Sequence, residues 1–403
     1  MRVLLISDVY FPRVNGVSTS VHTFRRDLAA CDVETVLVAP DYAADANSSG
    51  EPRIIRVPAS PVPGDPEDRR MRWGALMRAL APLADFDLVH IQTPFLAHYA
   101  GVRCARRLRV PCVATYHTFF EEYLHHYVPL LPRALGRGLA RALTRSQCQA
   151  VTALVAPSEP MRAVLLDYGV TTPIHVIPTG LGVDRFKSGN GARFRAAHEV
   201  PADRPLMLYV GRVAHEKNIE FLVHVFARVR ARVPEAIFVI AGEGPARASV
   251  RELAVRLGLA EGVRFIGYLE RDTELLDCYA AADAFVFASR TETQGLVLLE
   301  AMAQGAPLVS TAHLGTRSIL KHGCGALIAP EEIGAFAAAT VRVLQDADLR
   351  ARLAEEGRRY AAEWSSLAMA RRLQELYRSI IPQSGLHAAA ADPLPRALTN
   401  SAS

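Results

Sequence analysis

An α/β chain built as two tandem parallel-sheet domains is the fold this sequence predicts, and three observations lead there. Short apolar runs of strand length alternate with stretches of helical spacing, which is the βαβ rhythm of a sheet covered on both faces. The rhythm stops in a polar stretch at 183–204, "VDRFKSGNGARFRAAHEVPADR", and then restarts. At 403 residues the chain is also too long for one ordinary core and suits two domains of roughly 150 to 200 residues each.

The elements follow in order. In the first half "RVLLIS", "VETVLVAP", "DLVHIQ", "PCVATYH", "ALVAPS" and "HVIPTG" read as strands. After the polar stretch come "PLMLYVGR", "AIFVIAGEG", "VRFIGYL", "AFVFAS", "PLVST" and "CGALIAP". Two Rossmann-like domains in tandem is the natural interpretation, 1–180 and 181–363, with the boundary between Gly180 and Gly191. The pattern turns helical after residue 335, and a last helix at 364–381 is expected to return to the first domain. The segment 383–403, rich in Ala, Pro and Ser without an apolar period, is expected to be disordered. No repeat of solenoid length is present.

Composition narrows the class. Apolar residues make up 50% and charged residues 22%, which describes a folded protein. The net charge of +5 is mild and no nucleic-acid-reading signature accompanies it, so no nucleic-acid partner is expected. Six cysteines, at 31, 104, 112, 148, 278 and 324, lack the pairing or nearby histidines of a zinc or redox site, and are expected to be reduced and mostly buried. No run approaches the ~18 apolar residues of a spanning helix. The opening "MRVLLISDVY" reads as a first strand and not as a signal peptide, which points to the cytoplasm.

Chemistry concentrates at strand ends. In "TETQGLVLLEAMAQG" (291–305) a strand, a tight loop and a helix follow one another, and two glutamates sit in otherwise apolar surroundings. Glu292 falls on the loop and Glu300 about one turn into the helix. Gly295 lies between them, where no side chain blocks a ligand, and a helix N-terminus offers unpaired N–H groups to an anion. In "YVGRVAHEKNIEFLV" a strand ends at Gly211, Arg212 follows, and Lys217 opens the next helix. Such a pair supplies the charge-assisted hydrogen bonds that a diphosphate leaving group requires; the alternative is two solvated surface cations. His117 directly follows the strand "PCVAT", so it too sits at a carboxyl end, as a site residue or a packed core histidine. Phe119, Phe120, Tyr123, Leu124 and Tyr127 would form an aromatic helix that lines a pocket or merely packs. Gly16, after Asn15 and before a helix at Val17–Leu28, is either a turn glycine or a backbone N–H facing a phosphate. G-x-G-x-x-G is absent, which counts against a nicotinamide or flavin enzyme.

These residues resemble the retaining GT-B glycosyltransferases of family four (glycosyl transferases group 1) over almost the whole chain to about residue 380. The E-x7-E motif matches Glu292 to Glu300, the R-x4-K pair Arg212 and Lys217, the glycine loop Gly16, and the strand-end histidine His117. "IAGEGP" (240–245) looks like a family loop, and "VRFIGYL" is similar to the segment flanking the nucleobase, which brings in Tyr268. The resemblance implies two domains facing across a cleft. It also implies transfer of a hexose from a nucleotide diphosphate sugar of the UDP-glucose or GDP-mannose class, with no cofactor and no metal. Glu300 would hold the ribose, Glu292 and His117 the donor sugar, Arg212 and Lys217 the diphosphate, and the amides at Gly295 and Leu296 its distal oxygens. Gln294 stands where many relatives carry an aromatic.

For the acceptor, Arg133, Arg137, Arg141 and Arg145 recur every four residues beside Leu135, Leu139 and Leu143. That is either an amphipathic segment lying on an anionic membrane or a solvated face over core leucines. The first reading predicts a peripheral protein acting on a lipid or glycan acceptor, and "HTFFEEYLHHY" looks like the matching segment of diacylglycerol glucosyltransferases. A nucleotide-sugar epimerase and a non-catalytic nucleotide-sugar binding protein are the alternatives.

Overall fold

The computed structural model describes residues 1–42, 53–62, 65–119 and 133–382. Its first half contains strands β1 (Arg2–Ile6), β2 (Glu34–Pro40), β3 (Ile54–Val57), β4 (Ala59–Val62), β5 (Asp65–Met71), β6 (Leu88–Ile91), β7 (Cys112–Thr115), β8 (Ala153–Ala156) and β9 (Ile174–Val176). Seven of these form one sheet in the order β3-β2-β1-β6-β7-β8-β9, while β4 and β5 pair separately as an antiparallel hairpin. The second half contributes β10 (Leu206–Val210), β11 (Ile237–Ala241), β12 (Val263–Gly267), β13 (Ala284–Phe287), β14 (Leu308–Ser310) and β15 (Ala326–Ile328). They form a six-stranded sheet ordered β12-β11-β10-β13-β14-β15.

All twelve strand segments read from the sequence are present. Sequence reading passed over β3 and the hairpin, whose Pro- and Arg-rich text, "RIIRVPASPVPGDPEDRRM", carries little apolar signal. Every neighbour pair within the two large sheets is parallel. Central strands such as β10 and β11 are buried along their whole length, because helices cover both faces of each sheet.

Each sheet has one place where the strand order reverses. In the first, β1 pairs with β2 on one side and β6 on the other; in the second, β10 pairs with β11 and β13. Loops leaving the carboxyl ends of such neighbours diverge and open a crevice. The loops after β1, β10 and β13 all line one cavity, so the two crevices face each other.

The last helix, Ser366–Ile380, belongs to the core of the first half. Its Ala370, Leu373, Leu376 and Tyr377 pack with Val21 and Leu28 of helix Gly16–Ala29 and with Val3 and Leu37 of the sheet. The crossing is tight: Leu181 N donates to Trp364 O and Ser366 N to Leu181 O. A Cβ on Gly180 would lie 2.5 Å from Ser366 N, so only glycine passes there. The segment 383–403 lies outside the described residues.

All six cysteines are free thiols, five of them buried. Among the described residues no helix is long and apolar enough to cross a membrane, and no group of three or more His, Cys, Asp or Glu side chains is placed to hold a metal ion.

Candidate functional site

The cavity between the halves has a volume of about 290 Å³. Gly16, His117, Arg212, Lys217, Tyr268, Glu292, Gln294, Gly295, Leu296 and Glu300 all line it, so the structure brings together every site residue read from the strand ends. A second cavity of about 430 Å³ adjoins it and shares Thr19, Arg271, Leu296 and Glu300 as walls.

The loop after β13 is pinned to the opposite half at several points. Ser158 Oγ donates to Thr293 O at 2.7 Å, and Thr293 Oγ1 donates to His117 O at 3.1 Å. Gln294 accepts from Thr179 N at 2.8 Å and donates to Thr179 O at 2.6 Å, so both the oxygen and the nitrogen of its amide are held by backbone. A phenyl ring could make none of these bonds. The departure from the family pattern at Gln294 therefore yields a clasp between the halves.

Gly295 then turns the chain with φ +98°, a region that strains any side chain, and helix Leu296–Ala303 starts at once. Among the described residues no side chain caps that N-terminus, so its first N–H groups face the cavity at Leu296 and Val297. Gly16 occupies the corresponding place in the first half as the first residue of helix Gly16–Ala29, with Asn15 Oδ1 accepting from Ser18 N at 2.8 Å. A Cβ there would meet nothing within 4 Å. The backbone at Gly16 is therefore open to the cavity.

Charge is arranged in pairs. Lys217 Nζ lies 2.5 Å from Glu292 Oε1, and both side chains are largely buried. Arg212 sits beside Glu216 at 3.5 Å. Neither cation is a solvated surface charge. Lys217 rides on a short 3-10 turn, His215–Lys217, just before helix Ile219–Arg230, not on the helix itself. Glu300, 4% exposed, accepts from Arg271 Nη2 at 2.7 Å and from Tyr279 Oη at 3.1 Å. Burial, with the Glu300 carboxylate beside it, pushes the Tyr279 hydroxyl far up, so it stays a donor.

Sequence reading missed Arg13, Asp68, Tyr209, Arg271 and Tyr279, which also line the cavity. Arg271 lies in "ERDTE", which reads as a solvated turn, and its partner is 29 positions away. Arg13 sits three residues before Gly16 and has no periodicity to betray it.

His117 is neutral. Burial lowers its pKa to about 4, and its Nε2 lies 3.4 Å from Gln92 Oε1. Behind it, His90 bonds Tyr377 Oη at 2.6 Å and Thr115 Oγ1 at 2.7 Å, and burial takes it to about 3.

The family models described as "Glycosyltransferase Family 4" and "Glycosyl transferases group 1" match residues 14–185 and 191–360. The chain is 32% identical to alpha-monoglucosyldiacylglycerol synthase of Streptococcus pneumoniae over 317 residues, 77% of this chain and 71% of that one. The chain belongs to the group 1 glycosyltransferases. This glycosyltransferase is also 29% identical to the GDP-mannose-dependent alpha-mannosyltransferase of Mycobacterium tuberculosis, over 81% of this chain and 84% of that protein. The same fold appears in sucrose-phosphate synthase from Thermosynechococcus elongatus, with a TM-score of 0.76, 24% identity and coverage of 94% and 98% of the two chains. It appears again in Anabaena Alr3699/HepE in complex with UDP-glucose, with a TM-score of 0.76, 17% identity and coverage of 94% and 100%. The glycosyltransferase is thus a two-domain GT-B enzyme that takes sugar from a nucleotide-sugar donor.

Helix Arg133–Gln149 forms in spite of Gly136 and Gly138. Its buried side is Ala140, Thr144, Gln147 and Cys148, whereas Leu139 is 57% and Leu143 38% exposed. The reading of these leucines as core is therefore corrected: Ala140, Thr144, Gln147 and Cys148 occupy the buried side, and the leucines fall on the exposed one. Arg141 lies 3.5 Å from Asp167 and over the Tyr168 ring, and Arg145 lies against Gly169, so these arginines follow the 167–169 turn. Phe120, Tyr123, Leu124, Tyr127 and the side chains of Arg133 and Leu135 lie outside the described residues.

Burial holds His90, His98 and His117 at about 3, 4 and 4, below the ordinary 6.5. Below pH 6.5 the unfolded chain takes up protons these residues refuse when folded, so stability falls as pH drops toward 4. Asp8, raised by burial to about 6, works in the opposite sense: between pH 6 and 3.8 the folded chain holds the extra proton. Three histidines outweigh one carboxyl. The expected outcome is a thermal midpoint that declines from pH 6.5 to 4, less steeply in His98→Gln; a midpoint independent of pH over that window contradicts it.

Proposed function

We propose that this glycosyltransferase transfers a hexose from a UDP- or GDP-sugar to a hydroxyl of a membrane-associated lipid or lipid-linked glycan, with retention at the anomeric carbon and without a metal ion. One observation carries the reading: Arg212, Lys217, Glu292, Glu300, His117 and the open N-terminus of helix Leu296–Ala303 share one cavity.

Each group has a task that its surroundings permit. Arg212 and Lys217, with the N–H groups at Gly295 and Leu296, receive the charge that collects on the departing diphosphate. Lys217 now spends itself on Glu292; a phosphate drawing on the same ammonium leaves that carboxylate able to accept hydroxyls of the donor sugar. Glu300 keeps lone pairs beyond those used by Arg271 and Tyr279, and these accept the ribose hydroxyls. Neutral His117 supplies an uncharged ring nitrogen to the sugar near C1.

In the transfer itself the C1–O bond to the diphosphate breaks and the acceptor oxygen bonds to C1 on the same face. The acceptor proton passes to a freed phosphate oxygen. Glu292 and Glu300 bind; they do not act as the acid–base pair of a glycosidase.

The acceptor class rests on similarity to a glucosyldiacylglycerol synthase and on the exposed Leu139 and Leu143. Gln147, one turn from Leu143, donates to Pro94 O and Tyr99 Oη, which ties this helix to the neighbouring exposed Phe95 and Tyr99. Leucines that enter the acyl boundary, with Arg137 and Arg145 near anionic headgroups, form an interfacial anchor.

Turnover is measured with each nucleotide sugar, lipid vesicles and EDTA. Wild type forms product with the donor's anomeric configuration, and Glu292→Gln lowers kcat/KM about 10- to 100-fold, the worth of one charge-assisted hydrogen bond. An inverted product, unchanged turnover in Glu292→Gln, or turnover only with added magnesium would contradict the mechanism. For the anchor, Leu139→Gln with Leu143→Gln is expected to abolish co-sedimentation with anionic vesicles; retained binding, or none in wild type, removes it.

A further inference from the structure

The outer end of the cavity, at β12, is closed by a contact that crosses between the halves. Arg13, on the loop after β1, is 5% exposed and faces three partners. Its Nη1 lies 2.8 Å from Tyr268 Oη and 2.8 Å from Glu67 Oε2, and its Nε donates to Asp68 Oδ1 at 2.8 Å. Tyr268 Oη in turn donates to Glu67 Oε1 at 2.6 Å. Glu67 and Asp68 belong to the β4–β5 hairpin of the first half, and Tyr268 follows β12 in the second.

We infer that Arg13 and Glu67 are positioning residues for the donor's nucleobase: they lock the Tyr268 ring, from the opposite half, as the platform on which the base lies. The inference rests on the donor reading above and extends it to residues that lie in the other half.

The geometry supports it in three ways. Tyr268 is 48% exposed and lines the cavity, so its ring is open while its hydroxyl is held from two sides. A ring fixed before binding loses less freedom when a base lies on it. Burying a guanidinium is costly unless it is fully paired, and Arg13 reaches that pairing only because the hairpin supplies two carboxylates. The separation also fits. β12 and β10 are two strand spacings apart, about 10 Å, which sets Tyr268 one nucleoside away from Arg212 and Lys217. A surface contact serving only to hold the halves together would not need a half-exposed aromatic residue in the cavity wall.

The test compares ligands with and without a base. Dissociation constants for UDP, GDP and inorganic pyrophosphate are measured by calorimetry on wild type, Arg13→Met, Glu67→Gln and Tyr268→Phe. The last keeps the ring and removes the hydroxyl that is held. All three variants are expected to bind the preferred nucleoside diphosphate roughly tenfold more weakly, because a ring no longer held in place must be ordered when the base stacks on it, with pyrophosphate within twofold of wild type. Equal losses for nucleotide and pyrophosphate would mean a merely structural contact and overturn the inference, as would no loss at all. Wild type that binds UDP and GDP no better than pyrophosphate removes the base platform while leaving the diphosphate site standing. Wild type that binds none of the three overturns the donor reading itself.

Discussion

The loop Thr291–Gly295 is held by the half of the molecule to which it does not belong, and the rest of the site depends on that. Ser158, Thr179 and the His117 carbonyl fix its backbone and its Gln294 amide at distances of 2.6–3.1 Å. With the loop so held, Glu292 meets Lys217, Gly295 turns, and the helix N-terminus at Leu296 opens into the same space as His117. Were the loop free, the carboxylate, the cations and the histidine would belong to two separate lobes with no common ligand.

Electrostatics explain how these charged groups are accommodated in the cleft. Isolated buried charges are expensive, so each is paired: Lys217 with Glu292, Arg271 with Glu300, Arg13 with the hairpin carboxylates. Such pairs are poised for exchange. A diphosphate offers Lys217 and Arg212 more negative charge than a single carboxylate does, and sugar hydroxyls can take the place of a cation at Glu292. On the proposed function, the site trades internal salt bridges for ligand contacts.

Much of this was legible in the sequence because parallel sheets carry their site at strand carboxyl ends. Buried strands such as "LMLYV" and "AFVF" write themselves as apolar runs, and whatever polar residue follows them lands in the crevice. His117, Arg212 and Glu292 could be found that way. The residues that were missed share the opposite property. Arg13, Asp68 and Arg271 sit in charged or proline-rich text, two in turns and Asp68 on the hairpin strand β5, and gain meaning only from partners 29 to 255 positions distant. The leucines of the Arg133–Gln149 helix were ambiguous for a further reason: alanine, threonine and cysteine satisfied the packing, so the larger apolar side chains were not required inside.

The central claim is that Arg212 and Lys217 grip the diphosphate directly, and the difference in affinity between a nucleoside diphosphate and its monophosphate tests it most directly. Measured calorimetrically in EDTA, wild type is predicted to prefer the diphosphate by an order of magnitude or more, and Arg212→Ala and Lys217→Ala to lose most of that preference while still binding the monophosphate. A preference unchanged in both variants, or one that arises only when a divalent cation is supplied, would contradict the account.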